Sequence, residues 1–336
     1  MMKPSPKILA LPLLAGALCF TACGEKSDAT EGAAASSDEI NIPDAPDAAL
    51  QFVLSEIAEG KGGVLWEAMP ASYQDEVNAI AQLAGSKIDA EIYDKAFSTI
   101  KRVASVLDKQ KEFVFNTSLV GEAPDEEEIA KVRASWPSVM DLVNALTTSS
   151  ISSAAGLQSF KGEAFFKDTV SAVLTDMDAL ARLQPENEGP FLSDMKDAQV
   201  EYVEGTDSEA TLNITIPGQE TETKTVVKVE DRWVPQEMAA SWEAQTTEAR
   251  TKLEAIDPAQ LTKQKPQIMS VFAMIEGVLT QIEAAESQQQ FDQAVQSAMM
   301  PIMGLMMMGQ GMGGGRAPDM PAAPEIPEMP SAPSAP

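Results

Sequence analysis

Apolar residues recur every three or four positions over most of the chain between residues 43 and 308. This spacing is that of one face of an α-helix, so it predicts amphipathic helices that each bury an apolar stripe. Asp44-Ala45-Pro46-Asp47 predicts a helix start with an Asx cap, and Gly60-Lys61-Gly62-Gly63 predicts the end of that helix. We therefore expect a helical region over 43–197 and further helices over 235–308.

The longest apolar stripe is predicted in the helix that follows residue 87. Its members are Ile88, Ile92, Ala96, Ile100, Val103 and Leu107. We expect this whole face to be buried, including Ile100 at its centre, because an apolar stripe at helical spacing packs against the core. An aspartate at position 100 should then be severely destabilising.

Another helix is predicted to start at four consecutive acids, Asp125-Glu126-Glu127-Glu128. The positive end of a helix dipole favours acidic side chains in the first turn. Calcium binding is the alternative interpretation, but the run lacks the alternating oxygen ligands and the glycine of a calcium loop. Pro137 is expected to interrupt and restart this helix.

Between residues 198 and 234 the apolar period changes to two, which predicts β-strands. The intervening turns are suited to hairpins, and they are Gly205-Thr206-Asp207-Ser208, Pro217-Gly218 and Glu230-Asp231. An antiparallel meander over about 198–234 is expected, with helices covering its apolar face. The predicted fold class is α+β and mostly α-helical, with amphipathic helices packed around this small antiparallel sheet.

The end of the predicted sheet, from Val226 to Val234, contains a strand, an acidic turn and a strand with Trp233. This order resembles the closing hairpin of secreted lipoproteins that have an NTF2-like or cystatin-like sheet. The turn glycine usual in those proteins is absent here, and helices follow instead of a terminus. The resemblance implies a meander, in which Trp233 and Tyr202 would line either the core or a cavity.

The N-terminal 22 residues have the order of a lipoprotein signal peptide. Lys3 and Lys7 precede an apolar run from Ile8 to Phe20, which is too short to span a bilayer. The next residues, Thr21-Ala22-Cys23, complete a segment that resembles the lipobox of bacterial lipoproteins, with Phe20 where leucine is usual. The resemblance implies that the Cys23 sulfur receives a diacylglycerol and that Cys23 becomes the mature N-terminus. The alternative is an ordinary signal peptide cut after Ala22.

Residues 23–42 are predicted to be a flexible tether, since they are rich in Glu, Ser, Ala and Asp and contain few apolar residues. Through the acyl chains on Cys23 the protein would associate with the membrane. Sorting rules of the lipoprotein family imply that Gly24, rather than aspartate, directs export to the outer membrane. The expected location is the bacterial cell envelope, at the outer membrane and facing the periplasm.

Composition removes several classes of function. The 336 residues include 24 Lys and Arg, 51 Asp and Glu, two Cys and no His, for a formal charge of −27. Histidine-dependent catalytic triads and zinc sites are excluded, and so strong a negative charge argues against nucleic acid as a partner. Cys19 would be lost with the signal peptide, which leaves Cys23 as the single thiol. No catalytic, cofactor-binding or metal-binding residue is assigned.

The C-terminal end has two unusual segments. Met299–Met308 is rich in methionine, and prolines follow at every third position from Pro318 to Pro336. Regular prolines favour polyproline II over helix or sheet, so residues 309–336 are predicted to be a disordered tail. Either segment could contact an envelope protein as a partner. Because thioethers are soft ligands, Cu(I) binding by the methionines is a second interpretation.

These features predict a lipid-anchored, non-catalytic protein of the cell envelope with a binding or structural role. Two other classes stay open. One is an envelope hydrolase that works with a pair of carboxylates, since 51 acidic residues leave such a pair possible. The other is a methionine-rich protein that handles Cu(I). A cleft with two facing carboxylates of perturbed pKa would favour the hydrolase.

Overall fold

The structure is a computed structural model that describes residues 40–117, 119, 126–183 and 191–297. Within these ranges the fold is α+β and mostly helical, with one small antiparallel sheet, as predicted. Cys23, the predicted signal peptide and tether up to residue 39, Met299–Met308 and the proline-rich tail lie outside the described residues.

The helices follow the predicted periodicity closely. In chain order they are α1 (Pro46–Ala58), α2 (Gly63–Glu67), α3 (Ala71–Lys87), α4 (Ala90–Lys109), α5 (Lys111–Phe115), α6 (Glu126–Thr148), α7 (Ala154–Gln158), α8 (Gly162–Ala164), α9 (Ser171–Arg182), α10 (Leu192–Met195), α11 (Gln236–Glu254) and α12 (Pro258–Glu283). A 3₁₀ turn, Ser150–Ser152, precedes α7, and a further helix, α13, occupies residues 288–297. A π-helical stretch, Phe165–Val170, joins α8 to α9, so residues 162–182 form one continuous helix, called here the α8–α9 helix.

Four strands form the predicted meander. They are β1 (Gln199–Gly205), β2 (Glu209–Thr215), β3 (Glu222–Val229) and β4 (Arg232–Pro235), and they pair antiparallel in sequence order. One face carries the buried residues Ala210, Leu212 and Val226, which pack with Leu50 of α1. The register shifts between Tyr202 and Glu204.

Glu230, in the last hairpin turn, adopts a left-handed backbone conformation with a φ of +54°. Glycine adopts this conformation at a lower energetic cost than any residue with a Cβ. The Glu230 carboxylate lies at the start of α3 and accepts a hydrogen bond from the Ser72 backbone N–H at 3.4 Å. The Ser72 hydroxyl also donates to it, and these hydrogen bonds lower the pKa of Glu230. The side chain therefore attaches the hairpin to α3, a role that glycine could not fill.

The buried apolar residues form several clusters instead of one stripe. One cluster joins α4, α12 and α13 and consists of Val106, Leu279, Ile282, Ala285, Phe291 and Ala294. A second joins α3 and α11 through Ile80, Ala249 and Leu253. A third joins α2 and the π-helical stretch through Trp66, Phe166 and Val170. Helix pairs are thus held by separate contacts, and the sheet adds its own cluster beneath α1.

Helices α4 and α12 run parallel, as their ion pairs show. Lys265 contacts Asp89 at 2.9 Å, and Lys95 contacts Glu276 at 2.9 Å about two turns further along α4 and three turns further along α12. The predicted stripe on α4 is rotated relative to this partner. Ile100 is 47% exposed, so the prediction that it is buried is wrong, whereas Val106 is completely buried. The buried side of α4 also carries Thr99, whose hydroxyl has no hydrogen-bond partner within the described residues.

Three smaller predictions also need correction. Helix α1 begins at Pro46 as expected, but its cap residue is Ala45, without a side-chain cap. Pro137 does not restart a helix, because α6 continues through it from Glu126 to Thr148. Tyr202 is 49% exposed and therefore lines neither a core nor a cavity, while Trp233 packs beside the sheet cluster.

The predicted helix start at the acid run is confirmed, since Glu126, Glu127 and Glu128 form the first turn of α6. Asp125 lies outside the described residues.

Val106→Asp should unfold or strongly destabilise the protein, because it places an unpaired charge in the cluster between α4 and α12. We expect a loss of about 4 kcal/mol or more in the free energy of unfolding, measured by chemical denaturation. Ile100→Asp on the same helix is the matched control and should cost less than about 1 kcal/mol, since that side chain is exposed. Equal losses in both variants would contradict the orientation of α4.

Candidate functional site

A cleft lies between α6 and the α8–α9 helix, with the 3₁₀ turn after α6 at one end. It has a volume of about 500 Å³. From the α6 side and the following turn it is lined by Asp141, Asn144, Ala145, Thr148, Ser149 and Ser150, and from the α8–α9 helix by Ala164, Phe165, Asp168, Thr169, Ala172 and Asp176. Three alanines contribute to both walls, and their small side chains leave room between two helices that otherwise pack closely.

The π-helical stretch decides which side chains reach this cleft. Gly62 packs against it so closely that a Cβ there would lie 2.7 Å from the Ser171 nitrogen, and the Gly62 N–H donates to the Ser171 hydroxyl at 2.7 Å. On the same side, Phe166 contacts the Trp66 ring with centroids 5.4 Å apart. Phe166 packs in the buried cluster with Trp66, whereas Phe165 and Thr169 line the cleft. Single π-turns inside helices are frequent at functional sites.

Thr169 is the most buried polar residue of the cleft, with 8% of its surface exposed. Its hydroxyl forms no hydrogen bond within the described part of the chain, whereas Thr148 and Ser149 both donate to backbone carbonyls of α6. Thr99, and not Thr169, has the buried hydroxyl without a partner among the described residues, so the Thr169 oxygen is accessible to solvent from the cleft. Thr169 therefore provides an unused donor and acceptor inside the cleft.

The cleft is also strongly negative. Asp141 extends from α6, and Asp168 and Asp176 extend from the opposite wall. No Lys or Arg lines the cleft, and within the described residues none of the three aspartates forms an ion pair. Burial, together with the neighbouring charge of Asp141, raises the pKa of Asp176 above its ordinary value. The fold thus keeps like charges close together without a cation to neutralise them.

None of these residues was identified from the sequence. Asp168 and Asp176 are eight positions apart on one helix, and such acids ordinarily belong to a solvated face. Cys23, the one assigned site residue, lies outside the described residues, so its lipidation stays a prediction. The same holds for Cu(I) binding at Met299–Met308.

None of the helices in the described ranges is long and apolar enough to cross a membrane. In the same ranges, no group of three acidic or cysteine side chains is placed to hold a metal ion.

Asp176→Asn should stabilise the protein at neutral pH. A carboxyl whose folded pKa is raised above 3.8 favours folding below that value, and this contribution is lost as pH rises through the folded pKa. The ionised Asp176 is therefore unfavourable at pH 7, and its removal should raise Tm by roughly 2 °C, with the gain vanishing in acid. Differential scanning calorimetry at neutral and at acidic pH measures the gain in Tm and its loss in acid.

Asp75→Asn, at an exposed acid of α3, is the control that removes the same charge. An equal gain in that control at pH 7 would contradict the burial argument.

Comparison with known proteins assigns no family. No protein-family model, curated protein sequence or solved structure matches this chain. The lipobox at Cys23 and the local likeness of 226–234 to secreted lipoproteins therefore stay predictions from the sequence.

Proposed function

We propose that this chain is a lipid-anchored, non-catalytic protein of the bacterial cell envelope that binds a small ligand in the cleft between α6 and the α8–α9 helix. The observation that carries the binding role is the pair of like charges in this cleft. Burial and the charge of Asp141 raise the pKa of Asp176, and no Lys or Arg lines the cleft. A perturbed carboxyl in a cleft of ligand size marks a candidate binding site.

The anchor is the lipobox cysteine, Cys23. The first helix begins at Pro46, so the 22 residues 24–45 separate the lipid-bearing Cys23 from this helix. Fully extended, such a segment spans at most about 80 Å. The body could thus sample ligands well away from the membrane surface, from which its strongly negative charge would repel it. Gly24 after the cysteine favours the outer membrane, facing the periplasm.

A contact with another envelope protein through the methionine-rich segment or the proline-rich tail is part of the same proposal. Both segments lie outside the described residues, and a variant of either one leaves the residues of the cleft unchanged. Ligand binding and attachment can therefore be tested independently.

A carboxylate-based hydrolase is the second candidate, and one observation favours it. Asp176 has a raised pKa and lies near a second carboxylate, Asp141, which is the arrangement that a general acid and its partner need. Asp141 and Asp168 are exposed, however, and an enzyme would need to exclude more water from both carboxylates. Hydrolysis of glycosides by the full chain, lost in both Asp176→Asn and Asp141→Asn, would favour the enzyme over the binding protein.

Cys23→Ser should leave the protein without lipid, because a hydroxyl cannot replace the thiol that accepts the diacylglycerol. We expect the variant to lose acyl labelling completely and to move from the detergent phase to the aqueous phase. Cys19→Ser is the matched control and should be labelled like the parent, since that residue would be removed with the signal peptide. Full labelling of the Cys23 variant would overturn the proposed anchor.

A further inference from the structure

Helices α12, α4, α6 and α9 pack side by side in that order and form a layer. Three of them each carry an exposed large apolar side chain, Ile100 on α4, Val132 on α6 and Met177 on α9. Single apolar residues are ordinary on a protein surface, whereas a contiguous apolar patch marks a place where something else packs. Whether these three residues lie on one side of the layer therefore matters.

On α4, the side that carries Ile100 is apolar and the opposite side is polar. Val106 marks the side of α4 that faces α12, and Asp108, which accepts a hydrogen bond from Trp136, marks the side that faces α6. Successive residues are about 100° apart around a helix, so two open sides lie between these directions. The apolar side carries Ala96, Ile100 and Leu107, and the polar side carries Asp94, Ser98 and Ser105.

On α6 and α9, the exposed apolar residues point away from the acidic cleft. Val132 and the cleft residue Asp141 are nine positions apart on α6, which places them about 180° apart around the helix. Met177 follows the cleft residue Ala172 by five positions, or about 140° around α9. Both side chains therefore lie on the side of the layer opposite the cleft.

The apolar side of α4 lies on that same side of the layer. Helix α6 runs antiparallel to α4, because Arg133 and then Trp136 contact first Glu112 and then the earlier Asp108. With these directions, the right-handed turn of both helices puts Val132 beside the apolar side of α4. The three exposed residues thus belong to one surface, called here the apolar face.

The last described helix packs beside the apolar face. Phe291 and Ala294 of α13 lie in the cluster with Val106, and Val103, one turn from Ile100, packs against the same cluster. Helix α13 is described up to residue 297, three positions after Ala294. The chain therefore continues from a point within roughly 20 Å of Ile100.

The next 11 residues have the composition of a cover for this face. Residues 298–308 contain six Met, one Ile and one Leu, and no charged or hydrogen-bonding side chain. Burial of such side chains is favourable, and methionine adapts to irregular apolar surfaces. Eleven residues span about 16 Å as a helix and at most about 40 Å when extended, whereas α4 and α9 lie about 20 Å apart across α6.

Other occupants of the apolar face fit less well. A second copy carries the same charge of −27, so two copies repel each other. An anionic lipid surface repels the chain for the same reason. The segment of the same chain is attached beside the face, at an effective concentration on the order of millimolar.

We propose that residues 298–308 fold back over the apolar face of their own chain and cover Ile100, Val132 and Met177. The proline-rich tail then starts at the covered face and is the C-terminal segment that stays available to an envelope partner. This contact is independent of the ligand cleft, which opens on the other side of the layer.

The test is the rate at which dilute hydrogen peroxide oxidises each methionine of the full chain in non-ionic detergent, followed by mass spectrometry. Three methionines of the tail are internal references, and they are Met312, Met320 and Met329. In the parent, Met303 and Met306 should be oxidised about fourfold more slowly than these references. Fourfold protection corresponds to about 0.8 kcal/mol, which agrees with the small stability cost expected for Ile100→Asp.

Two variants of the face should expose the segment. Ile100→Asp should abolish the protection, because a charge on the face disfavours packing of an apolar segment. Met177→Ser, a milder change at an exposed position, should reduce the protection at least twofold. Val203→Asp is the matched control, since it changes an equally exposed apolar residue on β1, outside the layer, and should leave the protection unchanged.

Equal oxidation rates in the segment and in the tail of the parent would overturn the proposal. Protection that persists in both Ile100→Asp and Met177→Ser would also overturn it, because the segment would then be covered elsewhere, as by the detergent micelle. Protection that is lost on dilution would identify a second copy as the occupant and would contradict a contact within one chain. The unfolding transition of each variant shows that a loss of protection is not a loss of structure.

Discussion

The shortage of positive charge shapes this molecule. The chain has 24 Lys and Arg for 51 Asp and Glu, so most carboxylates cannot be paired. Many described cations lie where they join two elements. Lys265 and Lys95 connect α12 to α4, Arg250 connects α11 to α3 through Glu76, and Arg133 connects α6 to α5 through Glu112. Exposed ion pairs contribute little stability each, but they favour one arrangement of neighbouring helices over another. No cation lines the cleft, and its charge is therefore left for a ligand to neutralise.

Sequence periodicity located the helices and the sheet but not the direction in which each helix faces. On α4, steps of four residues from Ile92 through Ala96 to Ile100 each advance about 40° around the helix beyond a full turn. Over these two steps the apolar stripe winds about 80° around the helix, and the pattern does not say which part meets a partner. Ile88 lies before α4, at the end of α3. The parallel contact with α12 buries Val106, with Val103 packed against the same cluster, and leaves Ile100 exposed. Tertiary packing determines which face of a helix is buried, and the sequence of that helix alone does not contain this information.

The cleft could not be predicted for a related reason. Asp141 and Asp176 are 35 positions apart and come together only because α6 packs against the α8–α9 helix. The π-helical stretch depends on Gly62, more than 100 residues away, and on the fit of Phe166 against Trp66. By contrast, the lipobox at Cys23 is a local signal that an enzyme reads in an unfolded segment, so the sequence alone can predict it. The anchor is therefore a prediction from the sequence, whereas the cleft is an observation of the structure.

Asp176 and Asp141 form a pair of like charges in a cleft that no Lys or Arg lines. The most direct measurement of this pair is the pKa of the Asp176 carboxyl by carbon-13 NMR titration, in the parent and in Asp141→Asn. We expect a value above the ordinary 3.8 in the parent, and a lower value in the variant, since the charge of Asp141 disfavours the ionised form of Asp176. A pKa at or below the ordinary value that does not change with Asp141→Asn would contradict this arrangement.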